Sequence, residues 1–76
     1  MSGSVLVPFE EDRDVFIDNT KCGRTNIPFE VEVGTHDIDL GSPLDYDPPT
    51  VVIQVKAQHS ALNPLVVHFN LLEGAL

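Results

Sequence analysis

The sequence predicts an all-β fold, a small antiparallel β-sandwich of roughly five or six strands, on three observations. Residues 27–40 alternate apolar and acidic side chains almost without a break, from Ile27-Pro28-Phe29-Glu30-Val31-Glu32-Val33 through Gly34-Thr35 to His36-Asp37-Ile38-Asp39-Leu40. A period of two sends successive side chains to opposite faces of a sheet, so an apolar row turns inward and a carboxylate row turns to water. Residues 51–57 and 65–72 carry the same β-branched and aromatic chemistry. No window spaces apolar residues at helical intervals with caps at both ends.

The elements follow in order. Within residues 1–12, Ser2-Gly3-Ser4 is a polar start expected to be mobile. Val5-Leu6-Val7-Pro8-Phe9 is a short apolar run whose proline suits it to a sheet edge. Val15-Phe16-Ile17 reads as a strand, and residues 18–23 as a turn, with Asn19 and Gly23 tolerant of positive φ. Residues 26–33 read as the longest strand. Gly34-Thr35 then fits a two-residue hairpin loop that brings residues 36–40 back beside it. Residues 41–50 hold three prolines, a glycine and two aspartates, and form the longest loop. Two strands follow, residues 51–57 and 65–72, joined by a loop ending in Asn63-Pro64. The inward set by parity is Val15, Ile17, Ile27, Phe29, Val31, Val33, Ile38, Leu40, Val51, Ile53, Val55, Leu65, Val67, Phe69 and Leu71.

Composition bounds the function. A chain of 76 residues makes one domain, residues 1–76, with a small core. Twelve Asp and Glu against four Lys and Arg give a net charge of −8, which disfavours nucleic acid and anionic membrane surfaces. A basic protein partner or a cation suits that charge better. One cysteine, Cys22, provides no internal disulfide. Neither a signal peptide nor a membrane-spanning run is present, which leaves the cell surface and the cytoplasm both open.

Val15-Phe16-Ile17-Asp18-Asn19, Gly23-Arg24-Thr25, Pro28, and the stretch from Val31 through Gly34-Thr35-His36 to Ile38 together resemble the PEGA domain over about residues 13–72. Tyr46 falls roughly where that family has a Gly-Tyr pair. The resemblance implies a small β-sandwich module of bacterial and archaeal surface or multi-domain proteins. It implies no shared catalytic residues.

Three groups are candidate binding sites. If Gly34-Thr35 is the hairpin turn, Glu32 opposes Asp37 and Glu30 opposes Asp39. Four carboxylates then share one exposed face, and like charges directly opposed are unfavourable. A cation, a basic partner, or salt and solvent would offset the repulsion. The repulsion should raise these pKa values, so melting temperature should climb with salt and from about pH 7.5 to about 5.5. The second group is Asp45, Tyr46 and Asp47 in the long loop. They are either recognition residues or a connector with Tyr46 packed on the sandwich edge. The third is Phe16, Val52 and Val66, which with Leu72 fall off the core face. Either residues 5–9 cover them or they form an interaction or self-association patch. His36, His59 and His68 lack metal-ligand spacing, Cys22 has no general base beside it, and no catalytic motif occurs. The expectation is a module without cofactor, metal or catalytic residue, serving protein–protein interaction or structural spacing, with homo-oligomers allowed. The alternative is a module that binds Ca²⁺ on its acidic face or binds carbohydrate.

Overall fold

The computed structural model describes residues 1–72. Nine strands form there: β1 (Ser2–Leu6), β2 (Asp14–Ile17), β3 (Thr20–Arg24), β4 (Phe29–Glu32), β5 (Gly34–Asp39), β6 (Tyr46–Asp47), β7 (Val51–Val55), β8 (Leu65–Val66) and β9 (Asn70–Leu71). The fold is all-β, as the alternating pattern requires, and is cut into more and shorter strands than the expected five or six. They make a three-stranded sheet β4-β1-β8, a four-stranded sheet β3-β2-β5-β7 and a two-stranded sheet β6-β9. Every pairing is antiparallel except that of β1 with β8.

One core joins the sheets. Val5 and Val31 enter from the first, and Val15, Ile17, Ile38, Ile53 and Val55 from the second. Tyr46 enters from the third, and Val7, Leu40, Val67 and Phe69 from the connections. Burying one such side chain contributes about 1.5–3 kcal/mol. Two members of the expected inward set are corrected. Ile27 precedes β4 in a turn and is 59% exposed, and Val33 follows β4 and is 42% exposed.

The β2–β3 turn is built from Asp18 and Asn19, both at positive φ (50° and 67°). That geometry matches the right-handed twist of the strands it joins. The turn is two residues, and Thr20–Arg24 is strand where residues 18–23 read as turn. Gly23 serves close packing there: a Cβ at this position would run into the Phe29 ring.

The expected hairpin at Gly34-Thr35 does not form. β4 pairs with β1, with Ser2 opposite Glu32 and Ser4 opposite Glu30. β5 pairs with β2 and β7 in the other sheet. The chain crosses between sheets at Val33 and Gly34, where Gly34 takes φ 140° and the Val33 amide donates to the Met1 carbonyl at 3.0 Å. Ser2–Leu6 is accordingly the central strand of its sheet rather than a mobile start and an edge, and Pro8 lies beyond it. Gly3 permits this position, because a Cβ there would meet the Lys56 carbonyl and the Val55 side chain.

The expected final strand is also divided. Residues 65–66 pair with β1, and residues 70–71 pair with β6. Since β8 and β7 each end a sheet, two strand edges are left bordering a common space.

Candidate functional site

The acidic face is dispersed. Glu30 and Glu32 stand on β4, and Asp37 and Asp39 on β5, in different sheets. Glu30 accepts hydrogen bonds from the hydroxyls of Ser4 and Ser2 across the β1–β4 pair. These bonds favour the charged form and hold its carboxyl below the usual range, opposite in sign to the expected repulsion. Asp39 accepts from the Gly41 amide at 2.9 Å. The four groups do not converge, and among the described residues no cluster of three or more His, Cys, Asp or Glu could hold a metal ion.

The long loop is closed by its own polar groups. Tyr46 is 2% exposed. Its hydroxyl donates to the Gly41 carbonyl at 2.9 Å and accepts from the Leu40 amide at 3.1 Å. Its ring meets Phe69 edge-on, with centroids 5.4 Å apart. Burial pushes its pKa up. Asp45 pairs with Arg13 at 2.7 Å, and Arg13 also reaches Glu11 at 2.9 Å. Tyr46 is therefore a core residue and Asp45 an anchor. Asp47 is exposed and lies in β6.

A polar clamp that the sequence did not announce sits where the chain changes sheets. His36 Nδ1 lies 2.7 Å from the Asp18 carboxylate, and Nε2 lies 2.8 Å from the Glu32 carbonyl oxygen. A carboxylate and a carbonyl oxygen both accept, so this geometry favours the protonated ring, in which both nitrogens donate. Asp18 first and the Glu32 carbonyl second raise the His36 pKa, and His36 in turn lowers that of Asp18. Asp18 Oδ1 also accepts from the Asp37 amide at 2.9 Å. One side chain thus ties the β2–β3 turn to the end of β4. The only local signal is the spacing Gly34-Thr35-His36, and it gives no hint of the partners.

The apolar group divides. The Phe16 ring is half-buried against Gly41, where a Cβ would come within 2.6 Å of its Cε1. Val52 and Val66 are 67% and 44% exposed. Residues 5–9 do not cover them, since Val5 and Val7 are wholly in the core. Both valines border an open groove of about 340 Å³ between β7 and β8, lined by residues 51–54 and 65–68. Among the described residues no acidic side chain lines it. Lys56 continues the outward row Val52-Gln54-Lys56 by parity, and it makes no ion pair among the described residues. Compared with family models, curated proteins and solved structures, the chain matches none of them.

Proposed function

We propose that this chain is a non-catalytic β-module for protein–protein interaction, of the kind the PEGA domain represents, and that its partner docks at the β7–β8 groove. The observation that carries the reading is the placement of exposed Val52 and Val66 on an open groove that no carboxylate among the described residues lines. Apolar side chains left uncovered at a concave place on an acidic protein favour a partner surface over simple solvation. A strongly acidic chain is also kept soluble by its charge while carrying such a patch. A Ca²⁺ role draws no support from four carboxylates split between two sheets. A carbohydrate role is left without its one tyrosine, which is buried.

The test is panning of a phage-displayed library of protein fragments and folded domains against the whole chain. Clones should bind the native protein and bind the Val52→Asp/Val66→Asp double variant at least tenfold more weakly. Both valines are exposed, so the variant is expected to stay folded, which a thermal melt checks. Clones that bind both proteins equally, or an absence of clones, would overturn the reading.

A further inference from the structure

We infer that the β7–β8 groove takes an extended segment of a partner protein as an added β-strand, with apolar side chains in alternation and an acidic residue placed toward Lys56; this deepens the proposed function and rests on it.

The shape of the lining is the first ground. Four consecutive residues on each side border the groove, 51–54 and 65–68. A sheet face would present every second residue, whereas consecutive residues mean that strand edges bound the space.

The direction of the backbone groups is the second. The Asp37 carbonyl accepts from the Asp18 amide at 2.8 Å, and the Asp37 amide donates to Asp18 Oδ1. Asp37 therefore turns its backbone polar groups toward β2 and away from Val52, the residue opposite it on β7. An antiparallel ladder alternates bonded and non-bonded pairs, so Ile53 faces His36 and Val51 faces Ile38 as bonded pairs. Val52 and Gln54 then direct both N–H and C=O outward from the sheet edge. On the other side the Val67 amide donates to the Leu6 carbonyl at 3.0 Å, and Leu6 stands opposite Val66. Alternation turns Leu65 and Val67 toward β1 and Val66 away from it. The β7 wall thus presents the backbone donors and acceptors of two alternate residues, and the β8 wall those of Val66. An extended peptide satisfies such a row along its own edge, which a helix does not, and alternate side chains then read the neighbouring pockets.

Charge selects the occupant. Arg13, Lys21 and Arg24 each hold a carboxylate, whereas Lys56 at the end of the β7 row holds none among the described residues. A second copy of a chain with net charge −8 brings general repulsion to this place, while a partner segment with one acidic residue supplies what Lys56 lacks. At about 3.4 Å per residue, the four residues of each wall accommodate a segment of about four residues.

The experiment uses a phage library of linear dodecapeptides panned against the whole chain, followed by synthesis of the tightest binder. Selected sequences should alternate apolar residues and carry Asp or Glu. Amide hydrogen exchange followed by NMR should slow at Val52, Gln54 and Val66 when the peptide is added. The same peptide N-methylated at alternate residues along one edge keeps its side chains and should bind at least tenfold more weakly. Lys56→Gln should weaken binding a few-fold and reduce its salt dependence. A peptide that shifts groove signals without slowing those three amides, and binds equally well when N-methylated, would overturn strand addition and leave the groove as a partner site. Folded-domain clones without any linear peptide would do the same. Slowed exchange at these amides in the concentrated chain alone, with a dimer in sedimentation, would make the occupant a second copy and overturn the partner segment. Failure of both libraries would remove the proposed function together with its refinement.

Discussion

Asp18-Asn19 and Gly34-Thr35 both lie where the chain changes direction between strands, and only the first reverses a strand within its own sheet. At Asp18-Asn19 the flanking strands pair with each other, Val15 to Gly23 and Ile17 to Thr20. At Gly34 the chain leaves one sheet for the other, because both flanks have better partners elsewhere. β4 takes β1, whose serines receive Glu30, and β5 takes β7 along Ile53 and Val51. Opposing Glu32 to Asp37 and Glu30 to Asp39 would have placed like charges directly across the ladder, which is unfavourable. Positive φ permits a change of direction, and the competition among distant strands decides what that change accomplishes.

The sharpest way to break this comparison is to treat Val31 and Val33 alike. A hairpin would bury both, whereas here Val31 is 6% exposed and Val33 42%. Val31→Asp should abolish folding, since an uncompensated charge in a small core exceeds its stability. Val33→Asp should cost less than about 1 kcal/mol. Urea titration followed by circular dichroism separates the two, and equal damage would restore the hairpin. Next in size is Gly3→Val, which forces a side chain into the Lys56 carbonyl and Val55. It should cost about 1–3 kcal/mol in the same assay. If residues 2–4 were a free tail, it would cost nothing.

The turns themselves give a smaller effect. Gly34→Ala places a Cβ at φ 140° and should destabilise by about 1–3 kcal/mol. Asn19→Gly, at φ 67°, should be neutral or stabilise by up to about 1 kcal/mol, since glycine suits the second place of this turn. Paired thermal melts read both.

The smallest effect is in pH. His36 is raised above its ordinary 6.5, so the stability it contributes is fully present below about pH 6.5 and is lost as pH rises through its folded value. Asp18 is lowered below its ordinary 3.8, so its share is present above that value and is lost as pH falls through the folded one. Melting temperature should therefore decline as pH increases from about 6.5 into the alkaline range. Carboxylate repulsion would yield a slope of the same sign. His36→Gln discriminates, because it should flatten the curve if the clamp is responsible and leave it unchanged if the carboxylates are.

Much of the molecule was legible because strand side chains alternate whatever their neighbours are. Val15, Ile17, Ile38, Ile53, Val55, Val67 and Phe69 all point inward as parity demands. The place of Val52 and Val66 off the core face was legible for the same reason, whereas their lack of cover was not, since residues 5–9 could have lain over them. β3 was hidden because Thr20-Lys21-Cys22-Gly23-Arg24 lacks an apolar row and is held by its partner and by Phe29 instead. β1 was hidden because Ser2-Gly3-Ser4 is chosen for close approach and for hydrogen bonds to Glu30, neither of which leaves a periodic trace. Tyr46 was ambiguous because its hydroxyl needs two backbone partners to be buried, and those are visible only once the loop has closed over it.

By itself the amino-acid order determined that this is a β protein and which side of most strands is oily. Both follow from sterics within a few residues of one another. Which edges meet, and which two are left open beside Val52 and Val66, was decided only in three dimensions. Backbone hydrogen-bonding groups are identical in every residue, so a strand cannot encode its neighbour locally. The choice falls to the arrangement that buries the shared core with the fewest opposed charges and the fewest unpaired polar groups.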